Sequence, residues 1–247
     1  MSAITISEER GVRYLHFGSP WVQGAMRIAR PWALELEYTR DLMFPLLLRP
    51  EMEWPASVLQ IGLGSASITK FLYRNRPHAR LTVVEILPEV VAAANQYFRL
   101  PVDPERLHLV VGDGHEYLQK RGARFDLIVV DGFDSKGRPG LLDTEAFYLN
   151  CHERLAKGGI MSVNLLTRRR GTDASVSRIR HAFEEQVVEL PPSDAGNAVV
   201  VATTGPEYRW REPELKSAAK DLHAATGLNL LSAVARLAEA SRGGERP

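Results

Sequence analysis

The feature that most constrains the fold is a regular alternation of short apolar runs with helical patterns between residues 57 and 165. The runs, such as Ser57–Ile61 and Phe125–Val130, are nearly continuous in apolar residues and too short for helices. Strands of this kind are covered on both faces, as in a mostly parallel sheet whose strands are joined by helices. We therefore predict an α/β fold with a doubly wound, Rossmann-like sheet.

The N-terminal section, residues 1–48, has a different pattern. Val12–Phe17 alternates apolar and polar residues, Gly18–Pro20 has turn residues, and Trp21–Ile28 returns as a second strand, which predicts a β-hairpin. A helical pattern over residues 32–48 then predicts a linking helix.

The rest of the chain divides into two sections. Residues 49–205 contain the alternating pattern and form the predicted nucleoside-binding domain, whereas residues 206–247 are amphipathic in places and predict a helical tail. A chain of 247 residues is long enough for one large domain with small additions.

A glycine loop joins the first of the alternating strands to the helix after it. Gly62 and Gly64 allow a sharp turn and a close approach of a ligand to the backbone. Glu85 ends the next strand, 23 residues after Gly62, a spacing that suits a carboxylate bound to ribose hydroxyls. The dinucleotide motif has glycine or alanine where Ser67 stands, so the loop favours another adenosine ligand over NAD.

Two more carboxylates follow strands of the same section. Asp113 comes after the third strand and Asp131 after the fourth. Ligands of open α/β sheets bind at the carboxyl ends of the strands. We therefore expect both side chains to line one crevice with the glycine loop, although each alone could be a helix cap or a solvated acid.

Several short motifs of this section match one family. They are Gly62-Leu63-Gly64, Val83–Ile86, Gly112–Gly114, Asp126–Asp131, and Thr144–Tyr148 with Leu155–Gly159. Together they resemble the polyamine aminopropyltransferases, the spermidine synthase-like proteins, over roughly residues 10–205. The resemblance implies a small N-terminal β-domain on a class I methyltransferase-like Rossmann domain.

The resemblance also implies an adenosyl-sulfonium donor, either decarboxylated S-adenosylmethionine or S-adenosylmethionine. Glu85 would bind its ribose and Asp113 its adenine amino group. The full set of expected donor-binding residues is Gln23, Gly62, Gly64, Ser65, Glu85, Ile86, Asp113 and Gly114.

On the acceptor side, the resemblance implies that a small-molecule amine binds beside Asp131, the expected catalytic carboxylate. Asp134 would match a second acid that holds the amine substrate, and Tyr38 is the candidate for a substrate-side tyrosine. The segment 132–142 is rich in glycine and charge, which is typical of a mobile lid or of an ordinary solvated loop.

The chain departs from the family pattern at several positions. Ser65 replaces the aspartate that steadies the aminopropyl end of the donor, Gly132-Phe133 replaces a Ser/Thr pair, and Lys136 and Arg138 make the lid basic. Two alternatives to aminopropyl transfer therefore stay open. One is an S-adenosylmethionine-dependent methyltransferase, and the other is a nucleoside-binding interaction protein without catalysis.

The composition limits the kinds of binding partner that we expect. The net charge is +1 and only Arg168–Arg170 forms a basic run, which a solvated loop explains, so no nucleic acid is expected. The single cysteine, Cys151, excludes an intramolecular disulfide, and we find no cluster that predicts a metal site. No signal peptide or membrane span is apparent, so we expect a cytoplasmic protein. The resemblance implies a homodimer.

Overall fold

The computed structural model describes most of the chain. The described residues are 4–18, 21–167, 172–192, 196–205 and 210–243. Two segments discussed above, the turn residues 19–20 and the basic run 168–170, lie outside them.

The N-terminal section begins with a small antiparallel sheet of three strands. They are β1 (Ile4–Glu9), β2 (Val12–Phe17) and β3 (Val22–Arg27), in the order β1-β2-β3. The predicted hairpin corresponds to β2 and β3, and β1 is an additional strand that the sequence analysis did not predict.

The small sheet packs on the main domain through a small apolar cluster. Leu15 of β2 and Met26 of β3 are buried against Ala93 and Phe98. Because these side chains cover one face of the sheet, β3 is held at the edge of the main domain.

The predicted single helix over residues 32–48 is wrong. The structure has two short helices instead, α1 (Glu37–Asp41) and α2 (Pro45–Leu48). Proline lacks a backbone N–H and its ring clashes with the preceding turn, so it is tolerated at the start of a helix. Pro45 accordingly begins α2 rather than continuing α1.

The main sheet has seven strands in the order β6-β5-β4-β7-β8-β10-β9. The strands are β4 (Ser57–Ile61), β5 (Arg80–Glu85), β6 (Leu107–Val111), β7 (Phe125–Val130), β8 (Leu155–Leu166), β9 (Val187–Leu190) and β10 (Asn197–Thr203). Strands β4 to β8 pair in parallel, and β10 lies antiparallel between β8 and β9. The predicted α/β fold class with a mostly parallel sheet is confirmed.

Helices cover both faces of this sheet. They are α3 (Ser67–Asn75), α4 (Pro88–Tyr97), α5 (Gly114–Gln119), α6 (Glu145–Arg154), α7 (Asp173–Ala182), α8 (Glu212–Thr226) and α9 (Leu231–Gly243). One core contains side chains of α2, α3, α8 and α9, and the other contains side chains of α5, α6 and α7. Helices α8 and α9 confirm the predicted helical tail. Within the described ranges, no helix has the length and apolar character needed to cross a membrane.

One boundary differs from the prediction. The pattern of residues 144–155 predicts a helix that is ended by the glycines at 158 and 159, but β8 already begins at Leu155. The register between β7 and β8 shifts at this point, and Gly158 has a φ of +72°. The glycines therefore form an irregularity inside a strand, which is a second common use of glycine.

The strand order places a crevice at one edge of the sheet. From β4 the chain proceeds to β5 and β6 on one side, and to β7 and β8 on the other. The connections therefore diverge between β4 and β7, and ligands of open α/β sheets bind at such a point.

Candidate active site

A cleft of about 1500 Å³ lies at the carboxyl ends of the parallel strands. Strand β3, helix α1 and the segment 132–142 border it on the other side. It is lined by all but one of the residues predicted for the site, which are Gln23, Tyr38, Gly62, Gly64, Glu85, Ile86, Asp113, Gly114, Asp131 and Asp134. The exception is Ser65. We refer to the part around Gly62, Gly64, Glu85 and Asp113 as the glycine-loop end.

Gly62 is required because the glycine loop passes close to the backbone that follows β7. Its φ is +89°, and a Cβ atom there would lie 2.1 Å from the backbone oxygen of Asp131. Gly64 also has a positive φ, +51°, and a Cβ atom there would lie 3.3 Å from the carbonyl oxygen of Gln23. These two glycines let the loop pass between β7 and β3 while leaving its backbone open to a ligand.

Glu85 fixes the shape of this loop. One carboxylate oxygen accepts a hydrogen bond from the Leu63 N–H at 2.9 Å and the other accepts one from the Leu87 N–H at 2.9 Å. Burial raises the pKa of Glu85, and the backbone hydrogen bonds oppose that rise. The carboxylate therefore ties the glycine loop to the end of β5 and also borders the cleft.

Asp113 and Gly114 begin helix α5. The Asp113 carboxylate accepts hydrogen bonds from the N–H groups of His115 at 2.7 Å and Glu116 at 3.3 Å, so it is the N-cap of the helix. A Cβ atom on Gly114 would lie 2.4 Å from a methyl group of Ile61. Both residues thus have structural roles in addition to facing the cleft.

Ser65 turns away from the cleft. Its hydroxyl is 2.9 Å from the Ser67 hydroxyl and 3.4 Å from the Ala25 carbonyl oxygen, and the side chain is buried. A Cβ atom on Gly24 would lie 2.6 Å from this hydroxyl. Ser65 therefore joins β3 to the start of α3. Any contact of Ser65 with a ligand in the cleft would have to come from its backbone.

At the other side of the cleft, Asp131 is the centre of a partly buried polar network. Its carboxylate accepts a hydrogen bond from the Asn164 amide at 2.8 Å and is hydrogen-bonded by the Tyr38 phenol. Burial raises the pKa of Asp131 to about 6, the two hydrogen bonds oppose the rise, and the charge of Glu85 adds to it. We refer to Tyr38, Asp131, Asn164 and Asn197 as the Asp131 end.

Asn164 and Asn197 were missed by the sequence analysis. The Asn197 amide donates a hydrogen bond to the Asn164 side-chain oxygen at 2.9 Å, and this leaves the Asn164 amide to donate to Asp131. Both asparagines line the cleft. One signal was available, because Asn164 interrupts the apolar run Ile160–Leu166, and a polar residue buried in such a strand needs partners.

Tyr38 is positioned by the C-terminal part of the chain. Arg236 of α9 forms an ion pair with Glu37 at 3.0 Å and a second one with the buried Asp41, on both sides of Tyr38 in α1. Burial and the charge of Asp131 raise the pKa of Tyr38 well above its ordinary value, so its phenol stays a hydrogen-bond donor.

Asp134 already has partners in its own loop. Its carboxylate accepts hydrogen bonds from the N–H groups of Lys136 and Arg138 and from the Arg138 guanidinium, with which it forms an ion pair at 2.6 Å. Partial burial acts to raise the pKa of Asp134, but these interactions prevail and hold it below its ordinary value. Among the described residues, no group of three or more His, Cys, Asp or Glu side chains is arranged to hold a metal ion.

Solved structures define the class of fold. A probable spermidine synthase from Corynebacterium glutamicum superimposes with a TM-score of 0.75 at 20% identity, covering 92% of each chain. Human methyltransferase-like protein 13, in complex with SAH, gives a TM-score of 0.69 at 22% identity, covering 78% of this chain and 93% of that one. The fold is therefore that of the class I methyltransferase-like α/β proteins.

Sequence comparison defines the family. The family model of the spermine/spermidine synthase domain matches residues 35–171. The polyamine aminopropyltransferase of Neisseria meningitidis serogroup A is 34% identical over 226 residues, which are 92% of this chain and 85% of that protein. The chain belongs to the spermine/spermidine synthase family of transferases.

Proposed function

We propose that this protein transfers an aminopropyl group from decarboxylated S-adenosylmethionine to an amine. The observation that carries the proposal is the partly buried carboxylate of Asp131, held by Asn164 and Tyr38 in the same cleft as the glycine loop. This reaction needs a loop that can bind a nucleoside and a proton acceptor close to it, at the point of the sheet where the strand connections diverge.

The glycine-loop end suits the nucleoside part of the donor. In this proposal Glu85 binds the ribose and Asp113 with Gly114 binds the adenine, and the proposal is supported by the fact that these residues line the cleft together with Gly62 and Gly64. When bound, the donor supplies a sulfonium-activated carbon and a neutral thioether leaving group.

The Asp131 end has two tasks in the reaction. One is to align the amine with the carbon that it attacks, and alignment of this kind contributes roughly 7–11 kcal/mol. The other is to free the amine lone pair, which costs about 4–5 kcal/mol at pH 7 for an amine with a pKa of about 10.4. Asp131, with a pKa of about 6, is ionised at pH 7 and can accept the proton.

In this step the amine nitrogen forms a bond to the propyl carbon while the bond from that carbon to sulfur breaks. The sulfur retains the electron pair and leaves as a neutral thioether in methylthioadenosine. The amine proton passes to Asp131, and from there to solvent. Tyr38 and Asn164 keep the carboxylate in place by donating hydrogen bonds to it.

Methyl transfer from S-adenosylmethionine is the alternative that Ser65 suggested. The aspartate expected at this position is absent, and the Ser65 side chain does not reach the cleft. The match to a polyamine aminopropyltransferase over nearly the whole chain favours aminopropyl transfer.

A binding and turnover experiment separates these functions. Calorimetry would compare decarboxylated S-adenosylmethionine, S-adenosylmethionine and methylthioadenosine, and an assay would then seek methylthioadenosine release in the presence of amines. Preference for the decarboxylated donor with release of methylthioadenosine is expected. Preference for the carboxylated donor with S-adenosylhomocysteine as product would support methyl transfer, and binding without any product would support a non-catalytic protein.

The oligomeric state, the cellular location and the absence of nucleic-acid binding are part of this proposal. We infer a cytoplasmic homodimer that acts on small molecules and does not bind nucleic acid. The family membership supports the small-molecule substrate. Light scattering at several protein concentrations tests the dimer, and a monomer at every concentration would contradict it.

A further inference from the structure

Two asparagines in neighbouring strands connect Asp131 to the start of β10. The Asn164 amide nitrogen lies 2.8 Å from a carboxylate oxygen of Asp131, and the Asn197 amide nitrogen lies 2.9 Å from the Asn164 side-chain oxygen. An ionised carboxylate can only accept hydrogen bonds, so Asn164 has to present its NH2 group to Asp131. The Asn164 oxygen then faces Asn197, which has to donate. Both hydrogen bonds therefore run in one direction, from Asn197 to Asp131.

The backbone of β10 places Asn197 beside Asn164. Asn164 of β8 lies opposite Val199, and side chains two residues apart in a strand share a face of the sheet, so Asn197 and Asn164 are diagonal neighbours. Directly before Asn197, the Gly196 carbonyl oxygen accepts hydrogen bonds from the N–H of Thr167 at 3.1 Å and from its hydroxyl at 3.0 Å. These contacts fix the backbone from which the Asn197 side chain extends.

The buried Asn164 amide has a second orientation, in which its oxygen and its NH2 group exchange places. Its oxygen would then face the Asp131 carboxylate, and two hydrogen-bond acceptors would lie against each other. This orientation suits a protonated Asp131, which has an O–H group to donate. The orientation of the Asn164 amide therefore decides which form of Asp131 is favoured, and the ionised form is the one that can accept a proton from an amine.

We propose that Asn197 is a positioning residue, which holds the Asn164 amide in the orientation that donates to Asp131. The inference rests on the proposed role of Asp131 as proton acceptor. Asn197 acts through Asn164 and needs no contact with the reacting atoms. Once Asp131 has taken the amine proton, the Asn164 NH2 group cannot accept a hydrogen bond from the new O–H group. The arrangement therefore favours release of that proton to solvent and the return of Asp131 to its ionised form.

Other groups act on Asp131 as well and have to stay constant in a test. Tyr38 of α1 donates a hydrogen bond to it, and the charge of Glu85 at the end of β5 opposes its ionisation. The cleft also contains the ionisable residues Glu37, Glu89, Asp113, Asp134, Lys136 and Arg138. None of these is changed in the variants below.

Asn197→Asp should reverse the direction of the two hydrogen bonds. A carboxylate at this position can only accept, so Asn164 would turn its NH2 group toward it and its oxygen toward Asp131. The pKa of Asp131 should rise by about two units. Asn197→Ala removes the donor without imposing the opposite direction, so the rise should be about half a unit. Asn95→Asp, where the amide donates to Val91 within α4, is the matched control and should leave the pKa of Asp131 unchanged.

The new charge in Asn197→Asp also acts on Asp131 through space, and a second background separates this effect. In the Asn164→Ala protein no amide is left to turn, so Asn197→Asp should raise the pKa of Asp131 by less than half as much as in the wild-type background. Titration of the Asp131 carboxyl carbon by 13C NMR measures these values, and loss of the signal in Asp131→Asn assigns it. Equal rises in both backgrounds, or no rise in either, would overturn the proposal.

Asn197→Ala keeps the test decisive if Asn197→Asp does not fold. Its smaller rise should disappear in the Asn164→Ala background, because Asn197 then has no amide to hold. An Asp131 titration that Asn197→Ala leaves unchanged in the wild-type background, or a rise that persists without the Asn164 amide, would overturn the positioning role.

The titration needs no turnover, so this inference and the proposed reaction can fail separately. In the active enzyme, the rising limb of kcat/KM against pH should move with the Asp131 titration, while the dissociation constant of methylthioadenosine stays near the wild-type value. A shifted titration in a protein that releases no methylthioadenosine means that the reaction fails and the positioning role stands. Turnover with an unshifted titration means that the role of Asn197 fails and the reaction stands.

Discussion

The two ends of the cleft are built in different ways. The glycine-loop end consists of segments that follow β4, β5 and β6, and backbone groups and local carboxylates determine its shape. The Asp131 end combines side chains of α1, β8 and β10 with Asp131, which follows β7, and α9 holds α1 in place. One end therefore depends on loop conformation, and the other on contacts between segments far apart in the chain. Substitutions at the two ends should have separable effects.

The largest effect is expected for Asp131→Asn. An amide cannot accept the amine proton, so kcat should fall by roughly 10²–10⁴-fold. The glycine-loop end is unchanged, so the dissociation constant of methylthioadenosine should stay near the wild-type value. Steady-state kinetics and calorimetry check the two parts. Asp221→Asn, at an exposed position of α8, is the control. Unchanged turnover in the Asp131 variant would refute the proton-acceptor role.

Gly62→Ala should damage the glycine-loop end and the fold together. The new Cβ atom would lie 2.1 Å from the Asp131 carbonyl oxygen, at a φ of +89°. We expect a loss of roughly 3 kcal/mol in the free energy of unfolding, together with weaker methylthioadenosine binding. Gly227→Ala is the matched control, because Gly227 has a φ of +77° but no atom within 4 Å of the new Cβ. Equal losses in urea denaturation would show that the close approach to β7 is unimportant.

Arg236→Gln should loosen α1 in a pH-dependent way. Burial raises the pKa of Asp41 to about 6, and the charge of Arg236 opposes that rise. Since the folded protein binds this proton more tightly than the unfolded chain, stability falls as pH rises from about 4 to 6, and it falls further without Arg236. We expect a loss of about 1–3 kcal/mol at pH 8 and a smaller loss at pH 5.

Denaturation at both pH values measures this difference. Arg211→Gln, which removes an exposed ion pair with Glu214, is the control and should change little at either pH. The KM for the amine should rise in the Arg236 variant while methylthioadenosine binding is retained, because Tyr38 belongs to the Asp131 end. Equal destabilisation at pH 5 and pH 8 would contradict the assigned role of Asp41.

The smallest effect concerns the pH profile. Asp131 must be ionised to accept a proton, so kcat/KM should rise with pH through about 6. The Asn164 hydrogen bond favours the ionised form of Asp131. Asn164→Ala should therefore move this rising limb of the kcat/KM profile to a higher pH, by about one pH unit. The exposed Asn95→Ala, whose amide bonds only within α4, should leave it in place. A limb that stays at the same pH in the Asn164 variant would argue against this hydrogen bond.

The sequence predicted the glycine-loop end far better than the Asp131 end, and the reason is physical. Gly62, Gly64 and Glu85 belong to a strand–loop–helix–strand unit in which spacing alone determines proximity. Asn164 gave a partial signal as a polar residue in an apolar strand. Arg236 gave none, because its partners in α1 are about 200 positions away and only the packing of α9 brings them together.

The secondary-structure elements show the same contrast between features set by local sequence and features set by distant contacts. The parallel strands followed from apolar runs, whereas the linking helix was wrong because Pro45 begins a new helix. The position of Ser65 could not be predicted either. Its orientation toward Ala25 depends on where β3 packs, and β3 comes from the separate N-terminal sheet. The identity of the residue at position 65 does not show in which direction its side chain points.

The ion pairs of Arg236 with α1 have a consequence for the order in which the protein matures during synthesis. Helix α9 follows β4 to β6 by more than 100 residues in the chain, so it leaves the ribosome after those strands are available to pair. A nascent chain could therefore hold a nucleoside before Tyr38 is locked beside Asp131. Chemistry would begin only once helix α9 has docked.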